Sequence, residues 1–499
     1  MITQLDLSKK MLNMEASTGL EEEKIPLLEN NIDEDENEHL VRRVWIESKK
    51  LWQVAGPAIF NRVGNTSMFV MTQVFAGHLG DMELAATSIA MNVILGLDLG
   101  IMLGMSSALE TLCGQAFGAK QYNMLGIYMQ RSWIVLFITG ILLLPIFIFA
   151  TPILKFLGQP QEISELAGVI SMWLIPTHIA YAFYFPFHFF LQSQLKNNII
   201  SWVTLVSLLV HSFLCWLVVV KLKLGVIALV ASGNVAWFVL VFGFFGYVVL
   251  GGCPYTWTGF SMRAFSDLWG FAKLSAASGV MLCLEVWYDK VLVMMTGNLH
   301  NAKTVVEALT VCLTINNWEM MFPLAFLAAT GVRVANELGA GNGEAAKFAS
   351  QVSVVTSIII SVFFWLLIMI FRSQLGYMFT SSELVIEEVN KLSPLLGFTV
   401  LLNSVQPVLS GVAIGAGWQK YVAYVDLGCY YLIGIPLGFL LAFVYQLGVQ
   451  GLWAGLICGG PALQTLILAW VTIRCDWNKE AETAKLHLSK WGGPNHVPN

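Results

Sequence analysis

Between Leu282 and Leu292 the chain reads LCLEVWYDKVL. Glu285 and Asp289 are four residues apart, so on a helix they share a face. Lys290 is turned about 100° from Asp289. The run lies inside a long apolar stretch, where an ionised side chain is costly in lipid and is by default a functional hypothesis. A carboxylate placed between burial, which disfavours its charge, and a nearby cation, which favours it, can load and release a proton near physiological pH. The functional reading makes Glu285 a proton-coupling carboxylate facing a wet cavity, with Asp289 as a second candidate. The competing reading is a fixed ion pair of either acid with Lys290.

Other polar residues interrupt apolar runs. Asn403, Gln406 and Ser410 recur at helical spacing and form one polar stripe, with Pro407, Gly411, Gly415 and Gly417 permitting bending and close packing. The stripe suits either a substrate path or hydrogen bonds that glue helices together. Asp426 lies near a helix start, as a coupling residue or an interfacial one. Asp98 is a weaker candidate, and Glu110 reads as a helix-end residue. Glu319 and Arg62 read as structural, Arg62 reaching a neighbouring helix or interfacial water. His211 reads as a satisfied packing histidine. Trp287, Tyr288, Trp318, Tyr430 and Tyr431 cluster near the stripe. Aromatic walls with one carboxylate suit flat or cationic organic molecules. Tyr288, Tyr430, Asn403 and Gln406 are therefore expected to line a substrate path, core packing being the alternative for each aromatic.

These residues must be held by membrane-spanning helices. The chain is 57% hydrophobic and 12% charged, with a mean hydropathy of +0.69. Crossing the hydrocarbon core takes roughly 20 apolar residues. Twelve such stretches occur, at approximately 51–75, 84–110, 124–150, 164–188, 195–220, 224–250, 268–297, 304–330, 348–372, 388–414, 420–445 and 450–473. Their length argues for helices over the alternating strands of a barrel. With a cytosolic N-terminus, sixteen Lys/Arg from residue 42 onward fall on the cytosolic side and six on the other. Both termini are then expected in the cytosol.

The expected organisation is an acidic, disordered cytosolic tail (1–43), a six-helix N-lobe (44–250), a polar linker (251–267), a six-helix C-lobe (268–474) and a cytosolic C-terminal tail (475–499). The first 43 residues carry a net charge of −6, against −5 for the whole chain. They lack an apolar segment of the signal-peptide kind. The lobes echo each other. ETLCGQAFGAKQY (110–122) and RVANELGAGNGEAAKF (333–348) each join a polar helix end to a Gly-rich turn and a new apolar helix. Internal repeats with a binding site between them are a common transporter plan.

Several chemistries are missing from the sequence. No GxxxxGK[ST] supplies a nucleotide site, and no HExxH or Cys/His cluster has zinc spacing. GAGNG (339–343) follows no strand and reads as a tight helix–helix turn. The eight cysteines show no CxxC pair and read as buried free thiols. The chain is thus expected to be no enzyme, to need no cofactor and to bind no nucleic acid. An ion gradient would supply the energy.

At this point the chain resembles the multidrug and toxic compound extrusion (MATE) transporters of the plant detoxification group. The matching segments are GHLGDMELAATSIA (77–90), MLGMSSALETLCGQAFGAKQY (102–122), CLEVWYDKVLVMMTG (283–297), FLAATGVRVANELGAGN (326–342), SGVAIGAGWQ (410–419) and YYLIGIPLG (430–438). The resemblance implies an all-α fold of 12 transmembrane helices in two six-helix lobes around a cleft, with alternating access. It also implies exchange of protons for organic compounds, with Glu285 at the family's proton-coupling position. Many relatives carry a second acid where this chain has Lys290, an acid where it has Asn403, and Asn where it has Asp426. Asp289 or Asp426 taking the second role, and Glu285 working alone, both remain open. Vacuolar loading of flavonoid glycosides or alkaloids is the expectation, with a lipid or lipid-linked glycan flippase as the alternative. Sodium in place of the proton is left open, and a monomer is expected. EKIPLL (Glu23–Leu28) fits an ExxxLL pattern that sorting adaptors read, which favours the vacuolar over the plasma membrane.

Overall fold

The computed structural model describes residues 40–296, 302–380 and 382–491, apart from some side chains within the helices. Its membrane part is a succession of long helices. They are α1 (Leu40–Leu79), α2 (Asp81–Gly118), α3 (Tyr122–Ile148), α4 (Gln161–Trp173 and Ile175–Ser193), α5 (Asn197–Lys221) and α6 (Gly225–Gly252). The second half repeats the plan with α7 (Leu268–Thr296), α8 (Thr304–Ala340), α9 (Gly343–Arg372), α10 (Glu383–Ala416), α11 (Gln419–Val444) and α12 (Gly448–Arg474). Among the described residues, nine of these are apolar enough to cross a membrane, and α4, bent by 45° at Leu174, makes ten. The helices α1 and α7 are 40 and 29 residues long and more polar; they complete the expected twelve.

Proline and glycine shape the bundle. Pro57, Pro145, Pro186, Pro394 and Pro407 lie inside helices, where each removes an N–H donor and favours a bend. The two Gly-rich motifs have one job in common. An added Cβ at Gly118 would overlap the Asn336 carbonyl, and one at Gly339 would overlap the Gln115 carbonyl. The ends of α2 and α8 therefore cross reciprocally, backbone against backbone. GAGNG is a helix–helix turn: Gly341 takes the left-handed conformation (φ 85°) that ends α8.

Hydrogen bonds join the lobes at the predicted cytosolic end. Thr111 Oγ1 donates to the Ile414 carbonyl (2.6 Å), and Gln115 Nε2 donates to the Gly415 carbonyl (3.1 Å). Arg333 on α8 donates to Glu47 on α1 (2.8 and 3.1 Å) and to Glu337 one turn along (2.7 Å). The 251–267 segment docks on α3: Gln130 donates to the Gly259 carbonyl and accepts from the Ser261 N–H.

The segment after α12 contains α13 (Trp477–Trp491). Its Trp477, Ala481 and Ala484 pack on Val334, Leu338, Ala346 and Val412, and Glu480 accepts from Trp418 Nε1 (3.1 Å). This apolar period was available in the sequence, where the segment reads only as a tail. Residues 1–39, including Glu23–Leu28, lie outside the described residues.

Candidate functional site

Four helices of the C-lobe bring polar side chains together around one amide, that of Gln464 on α12. Its Nε2 donates to Asp426 Oδ1 on α11 (2.6 Å) and to Glu285 Oε1 on α7 (3.2 Å). Its Oε1 accepts from Gln406 Nε2 on α10 (2.9 Å) and from the Tyr430 hydroxyl on α11. Gln406 Nε2 also lies 3.2 Å from both Glu285 Oε1 and Ser410 Oγ. Asp426 and Gln464 are sealed from solvent, each 0% exposed, whereas Glu285 is only half-buried. Asp426 Oδ2 has no hydrogen-bond partner. Two carboxyl groups on one amide nitrogen repel when both are charged, and a proton or another cation placed on the pair relieves the repulsion. Glu285 is the more exposed member of the pair.

Wide helical turns position this cluster. The α-helical stretch Gln419–Asp426 gives way to a π-helical one, Leu427–Gly434, which carries Tyr430 and Tyr431. In α12 a π-helical turn, Cys458–Ala462, ends two residues before Gln464 and contains Gly459, Gly460 and Pro461. Proline withdraws one N–H and pushes the preceding turn open, and such wide turns gather at functional sites. The glycines admit Tyr288. An added Cβ at Gly460 would stand 2.9 Å from the Tyr288 ring. Tyr288 is buried, stacks on Tyr430 (centroids 4.6 Å apart) and donates to the Leu456 carbonyl (2.7 Å). It braces α11 and α12 from below the cluster.

The structure separates some residues that the sequence groups. Asn403 Nδ2 donates to Asn316 Oδ1 on α8 (2.9 Å), away from the Gln464 network. The side chains of Asp289 and Lys290 lie outside the described residues. Glu110 is no helix-end residue, because α2 continues eight residues beyond it; packing against α8 keeps ETLCGQAFG helical. Glu110 is buried and accepts from Gln192 (3.0 Å). Arg62 does reach a neighbouring helix, donating to the Leu324 carbonyl on α8 (3.1 Å). Glu319 is buried beside the break in α8 at Met320, and neither carboxyl oxygen has a hydrogen-bond partner. His211 is a satisfied packing histidine, 3.0 Å from Thr72 Oγ1 and 3.1 Å from the Met68 carbonyl. Asp98 pairs with His178 in the N-lobe at 2.8 Å. Gln464, the hub of the C-lobe cluster, is a residue that sequence reasoning missed. A lone amide two residues after GGPA in an apolar span was the available signal.

A bundle of this topology, duplicated as two six-helix lobes with a buried acid cluster in one, defines a membrane transporter of the two-lobed class. The MatE family model matches residues 57–217 and 277–440, one segment in each lobe. The chain is 58% identical to Protein DETOXIFICATION 28 of Arabidopsis thaliana, over 96% of this chain and 97% of that one. It is 60% identical to Protein DETOXIFICATION 27 of the same plant, over 92% and 94%. The crystal structure of the eukaryotic MATE transporter AtDTX14 superimposes with a TM-score of 0.84 at 34% identity, covering 89% of this chain and 99% of the other. The chain belongs to the MATE family of multidrug efflux transporters. It is a multi-pass membrane protein that carries small molecules and is not an enzyme.

Proposed function

We propose that this chain is a secondary antiporter that exchanges protons for organic solutes, and that Glu285 and Asp426 together hold the transported proton. The observation that carries this reading is the single Gln464 amide donating to both carboxyl groups. Asp426 then takes the second acidic role for which relatives use other positions. With the predicted cytosolic end closed, protons from an acidic lumen load the pair. Solute entering from the cytosol in the alternate state displaces them. Gln406 and Tyr430 orient the acids through Gln464, and Asn403 of α10, bonded to Asn316 of α8, is proposed to line the solute path beside them. Flat aromatic solutes such as flavonoid glycosides or alkaloids, and xenobiotics of similar shape, fit a half-buried carboxylate with the partly exposed Tyr431 beside it, bonded to the Leu284 carbonyl. The ExxxLL pattern at Glu23–Leu28 supports delivery to the vacuolar membrane. The working unit is proposed to be the monomer, since each chain carries both lobes.

The test uses purified protein in liposomes with an acidic interior and a pH-sensitive dye inside. A panel of flavonoid glycosides and alkaloids is added outside. Wild type is expected to lose protons in a solute-dependent manner, and Glu285→Gln of matched thermal stability is expected to lose that response. Exchange intact in Glu285→Gln would make Glu285 structural. No proton movement in either protein would sink the antiport reading and turn attention to lipid flipping.

A further inference from the structure

We propose that Asp98 and His178 form a second proton-binding site, in the opposite lobe from the acid cluster, and that it carries its own proton through the cycle. This rests on the antiport reading for its role in transport, but the site itself stands on geometry. His178 Nδ1 lies 2.8 Å from Asp98 Oδ1, and His178 Nε2 lies 3.0 Å from the Gly140 carbonyl. A carbonyl oxygen only accepts, so Nε2 carries a hydrogen. If Asp98 is ionised, Nδ1 must carry one as well. If Nδ1 is bare, Asp98 must be the acid that donates to it. Either way one exchangeable proton lies between α2 and α4. Without it, a ring lone pair faces a carboxylate oxygen inside a site where both side chains are at most 2% exposed.

The surroundings isolate this proton. On α3, Gly140 leaves room for the imidazole, and the Phe147 ring packs against it in a tilted arrangement, centroids 4.8 Å apart. On α4, Tyr181 packs its ring on Trp237 of α6. From α6, Asn234 accepts from Thr177 and donates to the Trp173 carbonyl. Among the described residues no other charged side chain is within ion-pair distance of either partner. Asp98 Oδ2 has no hydrogen-bond partner, so the carboxyl is incompletely used by its packing. The backbone beside the pair can yield. A π-helical turn, Ala90–Leu95, ends shortly before Asp98, and α4 is broken at Leu174, one turn before His178. Losing the proton is therefore coupled to parting α2 from α4. The same α2 crosses α7 at Gly104 against Gly279 and reaches the inter-lobe seam at Thr111.

The experiment compares wild type, His178→Gln and Asp98→Asn in proteoliposomes, at matched thermal stability, for protons moved per solute. In parallel, ¹⁵N-histidine spectra in nanodiscs follow the His178 ring across a pH series, its signal assigned by its loss in His178→Gln. The expected result is a proton-to-solute ratio about two-fold lower in both variants, with a wild-type ring whose protonation changes across about pH 5–8. A ratio unchanged in either variant overturns the proposal, whatever the ring does. If wild type moves solute without protons, the coupling reading has failed separately. The ring titration then decides the site alone: a titrating ring supports it and an invariant one overturns it. If the variants do not fold, the His178 signal is assigned instead in a protein whose other seven histidines are replaced, and the same titration decides the question.

Discussion

At the scale of single residues, the distinctive device is an amide that serves two acids. Gln464 donates to Asp426 and Glu285 while accepting from Gln406 and Tyr430, so its orientation is fixed by what it accepts. Gln464→Leu removes the shared donor and leaves a buried acceptor set unsatisfied, which costs about 1–3 kcal/mol. Solute-driven proton flux in proteoliposomes should fall at least about 10-fold, with the substitution Gln464→Glu failing to restore it, since a third acid adds like charge where a neutral amide donated to two acids at once. Wild-type flux in Gln464→Leu would show that the two acids work independently. Sequence reasoning found Glu285, Asp426, Gln406 and Tyr430 because charge and amide groups stand out in apolar runs. It placed Asn403 with Gln406 because both fit one helical stripe. A three-residue step leaves about 60° between them, enough for one to turn to α8 and the other to α12. Asp98 looked weak because its partner His178 lies 80 residues away, a distance that no local spacing reveals.

At the scale of elements, the twelve helices were legible because lipid demands long apolar runs, and the two Gly-rich turns because they repeat. The broken geometry was less legible. The π-helical turns at Leu427–Gly434 and Cys458–Ala462 leave no period in the sequence beyond glycine and proline. Glu110 was misread since its polar surroundings resemble a helix end, whereas Thr111, Gln115 and Gly118 after it pack on α8 and α10 of the other lobe. The reciprocal crossing of α2 and α8 gives a direct test. In Gly339→Ala the new methyl group overlaps the Gln115 carbonyl. Overpacking of this kind costs about 1–3 kcal/mol, and more where backbone rather than a side chain must move. The thermal midpoint in detergent should drop, and adding Gly118→Ala should cost less than the first substitution did, because the parted helices have already relieved the second clash. Simple additivity would mean that the two contacts are not one crossing.

For the whole molecule, the proposed antiport requires the seam at the predicted cytosolic end to open. Thr111 bonds the Ile414 carbonyl, Gln419 donates to Thr111, and Arg333 clasps Glu47 and Glu337. These contacts join α2 and α1 of one lobe to α8, α10 and α11 of the other. Alternating access requires them to separate once per cycle, because a carrier that kept them would expose the Gln464 cluster to one side only. The eight native cysteines are free thiols, so a cross-linking test begins from a variant in which they are replaced. In that background Thr111→Cys with Ile414→Cys, bridged by a short bis-methanethiosulfonate linker that forms a disulfide to each thiol, should stop solute exchange, and reduction of those disulfides should restore it. Each single cysteine treated alike controls for labelling. The bridged protein should still bind solute added on the side opposite the seam, since only the crossing between states is blocked. Exchange that survives a complete cross-link would place the moving gate elsewhere in the bundle and make this seam a permanent hinge between the lobes.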